Sequence, residues 1–437
     1  MGAAVVAAAQ AARRSLLRNH NGGHAPVSNL ELFFDLVYVF AITQISSFVH
    51  HHLDPLGLIE GALLFLAVWW AWMYTTWASN WLNPERIPVR LLLLALMFLS
   101  LAMAVALPGA FADKGLVFAA SYVALQVGRS AIVALMFGSE RAHNTRNMWR
   151  ITLWFIASGL FWIYGGIAGH TIQLVCWAIA LGIEYAGPIA LFPVPGLGHS
   201  RLSDWNISGT HMAERCSLFI IIALGEGIVV TGAGFAGLPM EMGRVAALVV
   251  AFLGSALMWW LYFDLGAERG ARMIANHAQP GRVARNAYTY LHMPIVLGIV
   301  ICAVADALLL EEWSRPASRT FVAVQMGGLL LFLIGLGLFK RSANSLGNFP
   351  FSHAIAALVL VPLGLWNWWS PMTTAGLSLA CTAVLLLTAY QEWISYHGGW
   401  VERWEARGWR IGTWVRQRNE RRRDRRLARE AARESLR

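Results

Sequence analysis

Twelve runs of apolar residues, each long enough to cross a hydrocarbon core of ~30 Å as a helix, divide the chain almost from end to end. They lie near residues 31–50, 57–79, 91–110, 116–137, 149–169, 172–192, 212–234, 245–265, 286–308, 320–339, 350–369 and 373–394. Charged residues gather in the short gaps between them, and strand-type alternation is absent. Lipid offers the backbone no hydrogen-bond partner, so each run is expected as a helix. The fold class that follows is an all-α polytopic membrane protein of about twelve transmembrane helices.

A slower pattern overlies the first. Residues 29–192 recur loosely as 211–396: Phe40 to Thr43 over Ile222 to Gly225, Trp69-Trp70 over Trp259-Trp260, Arg90 over Arg285, Val123 to Gly128 over Val322 to Gly327, and Cys176 with Tyr185 over Cys381 with Tyr390. The offsets, 182, 190, 195, 199 and 205, rise steadily, as they would if the second copy carried slightly longer loops. The expected organisation is an N-terminal arm (1–28), a first six-helix repeat (29–192), a linker (193–210), a second six-helix repeat (211–396) and a tail (397–437). Six spans per copy make the two halves parallel, related by a pseudo-twofold along the membrane normal.

Composition agrees with the bilayer. The chain is 57% hydrophobic and 13% charged and carries 21 Trp, a combination foreign to soluble domains of 437 residues. Charge then adds an orientation. The N-terminal arm and even-numbered loops carry fifteen basic residues, among them Arg18, Arg86, Arg150, Arg201 and Lys340, against four in the odd-numbered loops: Lys114, Arg244, Arg315 and Arg319. That bias places both termini in the cytoplasm.

The tail holds 13 Arg and six acidic residues after residue 400, with Trp400, Trp404, Ile411 and Val415 at helical spacings. This is the pattern of an amphipathic helix on anionic lipid headgroups. The same topology makes a nucleic-acid partner the weaker explanation of the Arg run. Cys176, Cys216, Cys302 and Cys381 fall inside spans and read as small apolar residues, so neither a disulfide nor a metal is expected from them. The apolar residues 3–12 are too short for a span and precede their Arg pair, so no cleaved signal is expected.

Candidate chemistry lies in the polar residues inside spans, each of which costs on the order of 2.5–3.5 kcal/mol at mid-bilayer unless it faces protein or water. Glu31 and Asp35 share one face of the first span, four residues apart. In the seventh, His211 and Arg215 are four apart, with Glu214 between them. Glu226 follows about 20° round the helix and roughly 16 Å further along. Asp264 ends the eighth span in WWLYFDLG, and in the ninth Arg285, Tyr288, His292 and Asp306 share an arc of about 60°, with Pro294 placed to kink the helix. Gln126 and Gln325 occupy matching positions in the two copies, and Arg129 requires an acid, for which Glu184 is the candidate.

Plainer readings stand beside these. Glu31, His211, Glu214 and Arg215 read equally as helix-end charges, Asp264 as the end of a span, Asp306 as a surface residue, and the two glutamines as interhelical glue. His50, His51 and His52 open a loop and read as solvated more readily than as metal ligands. The aromatic run WWAWMYTTW reads as packing or as the lining of a cavity for an organic cation or a polyisoprenoid chain.

At ELFFDLVYVFAITQ and AERCSLFIIIALGEGIVVTG the chain resembles the low temperature requirement protein A family, with WWLYFD and TYLHMP as further landmarks. The resemblance spans nearly the whole membrane domain. It implies a bacterial inner-membrane protein and maps landmark residues to Glu31, Asp35, Glu214, Arg215, Glu226, Asp264 and His292. The first helix is also similar to that of two-repeat potassium channels with six spans per repeat. There Phe33-Phe34-Asp35 takes the place of a Phe-Ser-Asp signature, which the second copy, with Ser217 opposite Asp35, does not repeat.

Two functions follow. One is a secondary transporter of a small molecule or ion, proton-coupled through Glu226, with a channel as its variant. The other is a membrane-embedded enzyme on a lipid or isoprenoid, using Glu226, Asp264 and His292 in one cavity. No nucleotide loop, nucleophile elbow or zinc-spaced motif supports catalysis, and the sequence assigns no cofactor.

Overall fold

The computed structural model describes residues 16–18, 26–138, 142–201, 205, 207–275, 280–343, 348–396 and 399–434. Regular structure among them is helical, with only isolated β-bridges besides. The first eight spans are α1 (Asn29–His51), α2 (Pro55–Trp81), α3 (Ile87–Ala106), α4 (Gly115–Phe137), α5 (Ala142–Ile167), α6 (His170–Ala190), α7 (Gly209–Ala236) and α8 (Met242–Tyr262). Two short helices, α9 (Glu268–Ala275) and α10 (Pro280–Val283), lead to α11 (His292–Glu312), α12 (Arg319–Ala343), α13 (Phe351–Trp369) and α14 (Thr374–Tyr396). The tail is α15 (Gly399–Ala406) and α16 (Arg410–Glu434). Twelve of these segments are long and apolar enough to cross a membrane, and the chain is a multi-pass membrane protein.

The helix starts explain how charged residues enter apolar segments. Ser28 accepts a hydrogen bond from the Glu31 N–H at 3.3 Å while Glu31 Oε2 accepts from the Ser28 N–H at 2.9 Å, a reciprocal cap that opens α1. Asp54 caps α2 through the N–H groups of Leu56 and Gly57, with Pro55 in the first turn where its missing donor costs nothing.

α2 is the axis of the bundle and lies against α1, α4, α6, α7 and α11. Trp69, Trp70 and Trp72 are fully buried. Trp70 stacks on Tyr185 at 3.9 Å, and Trp72 meets Phe219 at 4.1 Å. The indoles of Trp69 and Trp77 both donate to Thr289, at 3.0 and 3.1 Å. Apolar lipid gives helices little reason to associate, so interdigitated rings and satisfied indole donors carry the cohesion here. The void bordered by Tyr74, Trp77 and Trp81 measures about 10 Å³, at most the space of one water.

The ninth span departs from simple helical arithmetic. A π-helical segment occupies Ala284–Tyr290, and a regular helix restarts at His292, so Pro294 sits in a first turn and needs no kink. The wider π turn separates the residues that 3.6-residue spacing aligned. Arg285 donates to the Pro188 carbonyl at 2.9 Å, whereas Asp306 borders a void of about 20 Å³ with Gln325 and Ser378. Beyond it α11 and α12 touch backbone to backbone. A Cβ on Gly298 would lie 2.5 Å from the Phe332 nitrogen and 2.7 Å from the Gly328 carbonyl.

Candidate functional site

α1 and α7 pack against each other, and a buried charge cluster joins them at the end of the bundle where both begin. Glu31 and Asp35 come from α1, His211 and Arg215 from α7, and all four are at most 1% exposed. Arg215 Nη2 donates to Asp35 Oδ1 at 2.6 Å, and its Nη1 lies 3.5 Å from Glu31 Oε1. His211 Nε2 donates to the same Glu31 oxygen at 2.9 Å. Arg18 of the N-terminal arm reaches Glu31 Oε2 at 2.8 Å, and the Trp72 indole donates to Asp35 Oδ1 at 2.8 Å.

The tautomer of His211 follows from its neighbours. The Asn80 amide is fixed by Ser208, whose N–H donates to Oδ1 at 2.8 Å and whose carbonyl accepts from Nδ2 at 2.9 Å. Asn80 Nδ2 therefore also donates to His211 Nδ1 at 3.2 Å, and the ring, an acceptor there and a donor to Glu31, is neutral. Two carboxylates then face two guanidinium groups. The cluster is charge-balanced, so Arg215 and His211 serve carboxylates of α1 and present no free cation to an anionic substrate. Two atoms stay open within it: Asp35 Oδ2 and Arg215 Nε are buried and have no hydrogen-bond partner. Glu214 lies outside the cluster and accepts from the Val27 N–H at 3.3 Å, holding the arm to α7.

Further along the same helix crossing stands Glu226. It is 1% exposed, its Oε2 accepts from Thr43 of α1 at 2.6 Å, and its Oε1 has no partner among the described residues. Among the described residues no histidine is hydrogen-bonded to it. α11 runs beside this point, where Gly227 of α7 faces Ala303.

The first six spans hold a second buried network that the sequence only outlined. Arg129 Nη2 donates to Gln126 Oε1 at 2.5 Å, Gln126 Nε2 donates to the Tyr122 hydroxyl at 2.9 Å, and that hydroxyl donates to Glu184. Ser158 and the Trp162 indole complete the Glu184 carboxylate, each at 2.8 Å. Arg129 and Glu184 are thus linked through two intervening side chains. Gln325, which the sequence matched with Gln126, accepts from the Ser378 hydroxyl at 3.5 Å.

Asp264 and His292 do not meet in one cavity. Asp264 is exposed on a π-helical turn after α8. His292 is buried, donating through Nδ1 to the Ala287 carbonyl at 2.9 Å and accepting at Nε2 from the Tyr262 hydroxyl at 2.8 Å, with Tyr288 stacked on it. His50, His51 and His52 diverge: His50 lies 3.3 Å from Glu311, and the other two bond carbonyls one turn back. Among the described residues no three His, Cys, Asp or Glu side chains are grouped to hold a metal.

The buried ELFFD and ER…LGE faces meet across α1 and α7, and the family model of the bacterial low temperature requirement A protein (LtrA) matches residues 26–390, which covers both. The chain belongs to the LtrA family. A relative, uncharacterized protein RA0937 of Rhizobium meliloti (strain 1021), is 40% identical over 354 residues, covering 79% of this chain and 86% of its own length. No solved structure matches. The match to the LtrA family covers most of the membrane domain and names no substrate.

Proposed function

We propose that this LtrA protein is a secondary transporter in which Glu226 binds the coupling proton, with the cluster around Asp35 and Arg215 tying two six-helix halves together. The observation that carries this reading is the state of Glu226: a carboxylate sealed inside a span, with one oxygen bonded across the α1–α7 crossing and the other unsatisfied. A buried carboxylate in that condition favours its neutral form, and a movement that wets it releases the proton. An ion channel is the nearest variant. The enzyme alternative draws no support from Asp264 and His292, which face different surroundings.

The division into halves rests on the rising offsets and on matched helix neighbours: α1 packs on α2 and α3, as α7 packs on α8 and α11. The cytoplasmic placement of both termini rests on the Arg bias. Contact of the tail with anionic headgroups is supported by the Arg run of α16 and by exposed Trp409, Ile411 and Trp414.

An apolar carbodiimide, which adds only to a protonated carboxyl within hydrocarbon, tests the state of Glu226. Peptide mass mapping is expected to place the adduct on Glu226 and to show it suppressed at alkaline pH. Full protection of Glu226 at every pH would mean a permanent anion or an inaccessible structural group, and the coupling role would fall.

A further inference from the structure

At the end of the bundle opposite the charge cluster, a cavity of about 250 Å³ opens between the end of α1, the start of α2, the turn after α3 and the first turn of α6. Its chemistry comes from Phe48, His52, Asp54, Glu60, Phe111 and His170. Glu60 forms the inner wall. It is 5% exposed, its Oε1 takes no hydrogen bond among the described residues, and His170 stands beside it with Nε2 at 2.9 Å from Oε1. A nine-tenths buried carboxylate thus faces the cavity, with a histidine contact but no hydrogen bond to its Oε1 among the described residues.

Asp54 supplies a second carboxylate at the rim. The Gly57 and Leu56 N–H groups that it caps hold it below the usual carboxylate range, so it is ionised throughout neutral pH. Neither Lys nor Arg is among the described residues that line the cavity, and its carboxylates are those of Glu60 and Asp54, with His52 and His170 beside them. The aromatic walls refine the choice of cation. Phe48 and Phe111 stand with centroids 6.4 Å apart, His52 stacks on Phe48 at 4.4 Å, and Phe111 meets His170 edge-on at 5.8 Å. Ring faces favour a weakly hydrated cation, which a small inorganic ion is not. The volume lies just under the roughly 300–1,000 Å³ of drug-sized sites, which limits the ligand to a few heavy atoms.

We propose that this mouth binds a small organic cation, an amine or guanidinium compound, with Glu60 as counter-ion and Phe48 and Phe111 as its walls. The assignment concerns binding and stands whether or not Glu226 moves a proton.

Calorimetry on the purified full chain in micelles tests it, titrating tetramethylammonium chloride or guanidinium chloride against sodium chloride of equal ionic strength. Saturable binding of one organic cation per chain is expected, unmatched by sodium. Glu60→Gln should weaken it at least tenfold. Phe111→Leu keeps both carboxylates and should weaken tetramethylammonium severalfold, and it decides the matter if Glu60→Gln fails to fold. Heats identical to sodium, equal binding in both variants and the unmodified protein, or saturable magnesium or zinc binding that tetramethylammonium does not displace would each overturn the proposal, the last by making the mouth a metal site.

Discussion

Arg215 has the most to lose from a single substitution. It is 1% exposed and bonds Asp35 at 2.6 Å, so Arg215→Met leaves a buried carboxylate short of its counter-ion. The expected cost is about 3–5 kcal/mol, read as a lowered midpoint in thermal or detergent unfolding of the purified protein. Adding Asp35→Leu should recover part of that loss; losses that simply sum would show that the two residues do not act as a pair. Much of this cluster was legible in the sequence. The i, i+4 spacing of Glu31 with Asp35 and of His211 with Arg215 put each pair on one helix face, and charge inside an apolar run demands a partner. Their mutual partnership across α1 and α7 was not legible, because it depends on which helices pack. Trp72, Asn80 and Thr43 gave no signal for the same reason: an indole, an amide or a hydroxyl in a span has many possible partners, and only the packing selects one.

Helical periodicity located the spans, since a membrane leaves the backbone no alternative, but it failed where the helix is not α. The π turn at Ala284–Tyr290 adds residues per turn: Tyr288 still stacks on His292, whereas Arg285 reaches Pro188 and Asp306 faces Gln325 and Ser378. The tail shows the same limit. Gly408 takes a positive φ of 71° and separates α15 from α16, so Trp404 and Ile411 do not share one continuous helix, and the Trp400 side chain lies outside the described residues. Two predictions belong to elements. Gly298→Ala should force α11 from α12 and cost about 1–3 kcal/mol, seen as a lower unfolding midpoint, whereas Gly169→Ala, with open space around it, should cost far less. Trypsin should cut the Arg-rich α16 several times more slowly in anionic than in zwitterionic nanodiscs, with the difference erased by high salt. Equal cutting in both would remove headgroup contact as the role of the tail.

For the whole molecule, the central question is whether the two proposed halves move around Glu226. The twelve spans were legible because burial in lipid constrains every residue of a span, whereas a transported substrate constrains only a few side chains. The proposed topology, drawn from the loose duplication and the Arg bias, can be checked directly. A single cysteine placed at Glu85 should react with impermeant maleimide only from the cytoplasmic side and one at Pro55 only from the other, since all four native cysteines are buried. The account itself stands on proton flux. Liposomes holding the purified protein should dissipate an imposed pH gradient faster than empty ones, and Glu226→Gln, folded to the same midpoint, should lose that excess at least tenfold. Flux equal in the variant and the unmodified protein would contradict the account, because the carboxylate assigned to the proton would then carry none.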